Sequence, residues 1–448
     1  VGWGVFIAGF SGKYEHPVGG VMNTLISLDR LRFLLNRFEE KLWVRPLAVC
    51  SMSVAVVFAA SLVDDLHFAT YLPAVSKDSI ETLLSLLAAS MLVIATFSVG
   101  AMVSAYAAAS GTATPRSFTL VLADDGSQNA LSTFVGAFIF SVVALTAVKN
   151  DFYQHAGLFS VFVLTVMTFA VVIVTFVRWV DNIARLGRVG STIEKVESAT
   201  RDALIRRRDK PTLGGAVALK QAITGQPVYA AKIGYVQHID MAALQGWAEQ
   251  VDAKVVVTAL PGTFVCSNQP LAYLDAASAE LTESDCRCLV ESFEVGSDRT
   301  YEDDPRFGLV ALSEIAARAL SPAVNDPGTA IKVIGSMVRL ISLIGGPKPE
   351  QDKPDFDRIA VPEVSVSDMF DDAFTAIARD GAGAVEVCIR LQKALTSLDS
   401  LGNDDISKAA QYHRDLALKR ATIALAIDED LTAVKEVANA AQSVIKHA

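Results

Sequence analysis

The amino-acid sequence predicts an α-helical membrane bundle of four transmembrane helices, followed by a cytoplasmic α+β region with a small β-rich module and a helical C-terminal part. Two observations predict it. Four long apolar runs, at residues 46–63, 80–108, 131–148 and 157–177, crowd the first 180 or so positions, and none follows. Each is near or above the roughly 18–20 apolar residues that a helix needs to cross hydrocarbon, where the backbone must satisfy its own hydrogen bonds. The second observation is composition: 448 residues, 52% hydrophobic and 20% charged, with a mean hydropathy of +0.38. That is too apolar for an ordinary soluble protein and too charged for a bare bundle.

Residues 1–45 read as an N-terminal extension and an amphipathic helix. Residues 1–21 hold Trp3, Phe6 and Phe10 with no basic lead and a short apolar core, so no signal peptide is expected there. A tag, an upstream extension and an interfacial segment stay open. Residues 25–41 form a basic amphipathic pattern suited to the headgroup region.

Residues 46–178 are the transmembrane domain. Arg30, Arg32, Arg37, Lys41 and Arg45 precede the first run, and Arg178, Arg185, Arg188 and Lys195 follow the fourth. The loops after the first and third runs carry few cations, so the positive-inside rule puts both termini in the cytoplasm of a multi-pass bacterial inner-membrane protein. The second run is longer than a bilayer requires and should tilt, or project toward Ser110. Along it Thr96, Ser98, Gly100, Ser104 and Ala108 fall on overlapping i, i+4 positions. Small residues at that spacing either let helices pack closely or line a polar pathway.

Residues 179–230 are expected to be a helical connector, broken by Pro211 and Gly214-Gly215. Residues 231–280 form the β-rich module, with β-branched alternation around Pro261-Gly262 and a short helix over 241–250. Residues 281–448 read as helical, except for a Gly- and Pro-rich loop over 345–362. The last part, from about residue 365, reads as a helical hairpin with capping candidates at Ser367 and Asp404-Asp405.

Charge narrows the function classes. The formal net charge is −10, and residues 1–178 hold 10 basic and 11 acidic side chains against 29 and 38 in the rest. The acidic excess of the soluble part argues against nucleic acid as a partner. Four of the five cysteines fall in the expected cytoplasmic part, where thiols stay reduced; Cys286-x-Cys288 reads as two structural thiols, with a redox or metal pair as the alternative, and six scattered histidines assemble no metal site. No GxxxxGK[ST], HExxH or GxSxG occurs, so neither a cofactor nor an enzyme is expected. The runs hold no convincing charge, which argues against a pump that needs an intramembrane carboxylate.

Two constellations remain. Thr114-Pro115-Arg116 and Asp124-Asp125-Gly126 sit between the second and third runs, as turn and interface anchor or as a charged ring at a pore mouth. Residues 318–330 read Arg-Ala-Leu-Ser-Pro-Ala-Val-Asn-Asp-Pro-Gly-Thr-Ala. Pro322 should stop one helix, and Asn325 or Asp326 should cap the next with Pro327 in its first turn. The corner is either purely structural or an anion site, in which Ser321, Asn325, Asp326 and Thr329 surround the helix start and Arg299 or Arg318 supplies charge.

These segments resemble the bacterial family of predicted membrane proteins known as domain of unknown function 2254. The resemblance rests on Thr114-Pro-Arg116, Asn129-Ala-Leu-Ser-Thr-Phe-Val-Gly136, Gly234-Tyr-Val-Gln-His-Ile-Asp240 and Gly262-Thr-Phe-Val265. Its most specific part is Asp298-Arg-Thr-Tyr-Glu-Asp-Asp-Pro305 together with the 319–330 corner. It covers the chain from about residue 25 onward. It implies an architecture and no activity. At two places this chain departs from the pattern, with Ser110-Gly-Thr-Ala113 before the Thr-Pro-Arg and Gly328 where an aromatic is usual.

Two functions are expected. The first is a homo-oligomeric ion channel lined by Thr96, Ser98, Ser104, Thr114 and Arg116, with a cytoplasmic regulatory domain. The alternative is a non-transporting membrane sensor or scaffold whose cytoplasmic part binds a small ligand or a protein partner. Ser98 and Ser104 should face one axis if the first holds.

Overall fold

The computed structural model describes residues 43–65, 72–112, 114–122, 124–218, 225–276, 283–346 and 353–445. The extension and amphipathic helix expected before residue 43 lie outside the described residues.

Each apolar run is a helix. The first is α1 (Val44–Ala59), followed by a 3-10 turn (Ala60–Asp65). Next come α2 (Lys77–Thr112), the short α3 (Pro115–Leu122), α4 (Asp125–Lys149) and α5 (His155–Arg185). Packing follows the small residues. On α4, Ala130, Phe134, Ala137, Ser141 and Ala144 are buried, and α1 fits so closely that a Cβ on Gly136 would strike Val49. The outward faces are apolar instead: Leu92, Val93, Phe97 and Val103 on α2, and Val166, Met167, Phe169 and Val177 on α5, are exposed. A continuous belt of that kind would be costly in water and is at home in lipid.

The bundle has two distinct ends. At one, Asp64 accepts from the backbone N–H of Gln154 (2.9 Å) and Gly157 (2.6 Å) at the start of α5, and Lys77 pairs with Asp151 at 2.6 Å. At the other, Arg45 meets Asp125 at 2.6 Å, and the chain leaves for the soluble body. It does so through Gly187, whose φ of +85° places it against the Ala105 carbonyl. This break between α5 and α6 (Val189–Asp209) interrupts the helical continuation that the sequence suggested.

After β1 (Gly215–Val217) and β2 (Gln226–Tyr229) come β3 (Gly234–Ile239), α7 (Met241–Gln250), β4 (Ala253–Val257), β5 (Phe264–Val265) and β6 (Pro270–Ala276). Then follow α8 (Glu283–Glu291), β7 (Phe293–Gly296), α9 (Pro305–Ala319), α10 (Pro327–Ile344) and β8 (Phe356–Val361). Four helices close the chain: α11 (Val366–Asp380), α12 (Val385–Asp399), α13 (Asp404–Ala424) and α14 (Asp428–Ile445).

The strands form a five-stranded sheet of order β1-β8-β4-β6-β2 and a three-stranded sheet of order β5-β3-β7. β8 pairs in parallel with both β1 and β4. This corrects three expectations. The connector contains β1 and β2, the region after 281 contains β7 and β8, and the 345–362 loop holds the second strand of the larger sheet. Their partners, parallel for β1 and β8 and antiparallel for β2 and β7, lie far away in sequence, so none of these short strands announces itself by a hairpin. The closing helices are capped by Ser365 and Asn403 rather than by Ser367 and Asp404-Asp405. The acids instead fill the first turn of α13, where they complement the helix dipole.

Among the described residues, five helical stretches are long and apolar enough to cross a bilayer: Val44–Leu62, Lys77–Gly111, Pro115–Lys149, His155–Arg185 and Pro327–Ile344. The fifth is α10, and its setting differs. Val333, Ile334, Met337 and Ile341 are buried in a core shared with α6, α9, α11, α12 and α13. Its other side holds Lys332 and Arg339, which pair with Glu194 and Glu197 on α6. It is the central helix of the core that these helices share.

Candidate functional site at the seam

Four of the expected candidates, Thr114, Arg116, Arg299 and Arg318, sit with their partners at the seam where the bundle meets the body. Asp124, only 6% exposed, caps α4 by accepting from the Ser127 N–H at 2.9 Å. The same carboxylate receives Asn182 Nδ2 of α5 at 2.6 Å and Lys195 Nζ of α6 at 2.5 Å. A buried carboxylate is tolerated only when so satisfied. Gly126 is needed for the approach, since a Cβ there would stand 2.6 Å from Asn182 Nδ2.

Thr114 caps α3, with the Ser117 N–H pointing at its Oγ1 at 3.3 Å and its own N–H donating to Ser117 Oγ at 3.0 Å. Two residues on, Arg116 pairs with Glu314 of α9 at 2.5 Å. Its backbone carbonyl accepts the Tyr301 hydroxyl at 3.1 Å. Arg318, one turn along α9, donates to the Gly111 carbonyl at 2.5 Å. It thereby satisfies one of the orphan carbonyls at the C-terminal end of α2.

The 298–304 loop ties these contacts to the rest of the body. Arg206 donates to the Glu302 carbonyl, and Arg207 to that of Asp303 at 3.2 Å. The Asp303 carboxylate meets His238 Nδ1 of β3 at 2.6 Å. Asp304 caps α9 through the Arg306 and Phe307 N–H groups at 3.1 and 3.2 Å, and Arg299 Nε holds it at 2.6 Å. Burial pushes the Tyr301 hydroxyl well above the ordinary phenol range, with Glu314 adding to it. Burial likewise pulls the Arg207 guanidinium down to about 10, against Asp303 and Asp304. Both shifts mark a dry interface. One seven-residue loop thus contacts α3, α6 and β3 while capping α9.

The expected pore-lining residues do not share a face. Ser98 is fully buried among the helices of its own chain, with no hydrogen-bond partner for its hydroxyl among the described residues. Thr96 and Ser104 are exposed on the other side of α2, where Thr96 returns its hydroxyl to the Leu92 carbonyl at 2.8 Å. Thr114 and Arg116 belong to the seam. The expected axis through Ser98 and Ser104 is therefore corrected: six residues apart on a helix, they point about 120° from one another.

The 318–330 corner is structural as far as its bonds go. Asp326 caps α10, accepting from the Thr329 N–H at 3.1 Å and hydroxyl at 2.6 Å, and these bonds hold its carboxyl below the usual range. Ser321 Oγ donates back to the Arg318 carbonyl at 2.7 Å. Asn325 is exposed at a φ of +49°, a conformation that Asn tolerates better than most residues. Arg299 lies at the opposite end of α9, about 20 Å away by helix rise, and Arg318 is engaged with α2. The anion site expected from these six residues is not assembled. Asn182, Lys195, Tyr301, Glu314 and His238 were not among the expected candidates. Only Tyr301 and His238 lay inside quoted motifs.

The model of the family described as predicted membrane protein (DUF2254) matches residues 39–397, well over half of the chain. The chain belongs to this family. Similar curated proteins include an uncharacterized protein of Mycobacterium tuberculosis and one of Mycobacterium bovis. Each is 32% identical over 122 residues, covering 26% of this chain and 23% of the relative. The chain thus aligns with about a quarter of the length of these relatives. No solved structure matches it significantly. In this chain the Thr-Pro-Arg and Asp298–Pro305 stretches meet through the Tyr301 hydroxyl on the Arg116 carbonyl, beside the Arg116–Glu314 pair.

Proposed function

We propose that this family member is a four-span inner-membrane protein that acts as a sensor or scaffold. Its cytoplasmic body binds a ligand or partner, and the seam passes that state to the spans. The spans are α1, α2, α4 and α5, with α10 in the soluble core. The basic residues Arg45, Arg178, Arg185 and Arg188, before the first span and at or after the end of the fourth, put the side of the body and both termini in the cytoplasm by the positive-inside rule.

The observation that carries this reading is the 298–304 loop, which bonds at once to the membrane-proximal α3, the connector α6 and the sheet strand β3. An element bonded to all three is placed to couple them, and a measured response at a distance is what establishes coupling. Hydrogen exchange on protein in nanodiscs tests it. Arg116→Ala is expected to raise exchange at the start of α4 and also in β3. Exchange altered only around residues 115–118 would defeat the coupling.

A second reading, a homo-oligomeric channel, retains one favourable observation. Thr96, Gly100 and Ser104 are exposed at i, i+4 spacing on α2, with open space beside Gly100, so another copy could approach closely there. Ion flux in reconstituted liposomes that is lost in Ser104→Leu would favour the channel over the sensor.

A further inference from the structure

The outward face of α5 carries a charge that the rest of the chain leaves unmatched. Residues 156–177 hold no Asp, Glu, Lys or Arg. That stretch rises about 33 Å as a helix, close to the ~30 Å of a hydrocarbon core, and Arg178 ends it. Four residues further on, Asn182 bonds to Asp124 at the cap of α4, so Arg178 stands about 6 Å to the bilayer side of that junction.

Arg178 is exposed. The only acidic residue of α5 is Asp181, and Arg185 holds its carboxylate at 3.2 Å. Among the described residues, no hydrogen bond or ion pair engages the Arg178 side chain. The other spans end differently. Arg45, at the start of α1, is paired with Asp125, and residues 82–115, which hold most of α2 and its exit, carry no charged side chain. An exposed guanidinium at the edge of the hydrocarbon lays its stem on apolar surface and sends its head to the phosphate layer.

The surface above Arg178 fits a lipid chain. Met167, Val171 and Val174 precede it on the same face of the helix, and each is more than half exposed. From Arg178 to Met167 the stripe runs about 16 Å, the depth of one leaflet of a ~30 Å core.

We propose that this stripe of α5 holds one anionic phospholipid, with its phosphate on Arg178 and an acyl chain along Val174, Val171 and Met167. A guanidinium takes phosphate oxygens in a bidentate fork. An anionic headgroup neutralises Arg178, whereas a zwitterionic one brings its own cation beside it, and this difference sets the preference. The proposal rests on α5 being a span, and on neither the sensor nor the channel reading.

Native mass spectrometry of the detergent-solubilised full chain tests it, with phosphatidylglycerol and phosphatidylcholine of identical chains as probes. The first phosphatidylglycerol is expected to bind about fivefold tighter than phosphatidylcholine, the factor that one interfacial arginine supplies. Arg178→Gln should bring the two within about twofold at an unchanged Tm, and Arg178→Lys should keep most of the preference. Arg188→Gln removes an exposed arginine beyond the end of α5 and should leave the preference as it is. Inorganic phosphate should not displace the lipid, because it has no chain for the stripe. Equal binding of the two lipids by the wild type would overturn the proposal. So would a preference that survives Arg178→Gln, one that is lost in Arg188→Gln instead, or displacement by inorganic phosphate.

Discussion

Asp124 shows how much one carboxylate can be asked to do. It caps α4 and holds both Asn182 and Lys195, joining three helices at one buried point. Asp124→Ala removes the cap and strands a lysine, and should cost roughly 2–4 kcal/mol. Asp124→Asn keeps the cap and loses only the charge, so its loss should be about half as large. Thermal denaturation of the two variants in detergent checks the order, and equal losses would mean that the cap contributes nothing. His413 gives a pH-dependent counterpart. It is buried near Phe370 and Phe374, with Asp371 at 3.2 Å. Burial depresses its pKa below 6.5, Asp371 opposes this, and Arg420 adds to the depression. A depressed folded-state value means that the neutral ring favours the fold. That stability is present above 6.5 and is lost as pH falls through the folded-state value. Tm should therefore drop between pH 7 and 5, and part of that drop should vanish in His413→Leu. An unchanged slope would contradict the assignment.

At the scale of elements, α6 and α9 cross where Gly308 faces Thr200, and a Cβ on Gly308 would fall on the Thr200 hydroxyl. Gly308→Ala should cost about 3 kcal/mol or more by overpacking. Adding Thr200→Ala should recover at least ~1 kcal/mol of it, a coupling that a double-mutant cycle measures directly. Additive losses would place the strain elsewhere. The elements also differ in how readily they are read. The helix over 241–250 and a cap at Asn325 or Asp326 before Pro327 follow from local chemistry alone, and the structure selects Asp326. β8 did not, because residues 345–362 are flanked by Gly and Pro while the strand's pairing partners, Val255 and Val256 on one side and Val217 on the other, are distant. The break at Gly187 was equally hidden, since its cause is the Ala105 carbonyl of another helix.

At the scale of the whole molecule, the topology proposed for the spans is open to labelling. In a cysteine-free background, Asn150→Cys should react with a membrane-impermeant maleimide added outside intact cells. Lys232→Cys should react only after permeabilisation. The reverse pattern would invert the protein, and equal labelling would remove the bilayer from between the two positions. The candidate site divides in the same way as the fold. Thr114, Arg116, Arg299, Arg318 and Asp326 drew attention in sequence because Pro, Arg and capping residues cluster around them. Their partners did not, because Glu314 lies 198 residues from Arg116 and Arg318 lies 207 from Gly111.

The sequence by itself determined the helices of the apolar half, the presence of a β-containing module and the helical close. Each of these is set by local periodicity and by the cost of leaving backbone unsatisfied in lipid. Only the tertiary structure decided that α10, apolar enough to span a bilayer, packs in a core with α6, α9, α11, α12 and α13. It alone placed Ser98 inside the chain and Ser104 outside, and joined two distant motifs into one seam. The physical reason is the same throughout: periodicity gives a helix an apolar face, but only its neighbours determine what that face meets.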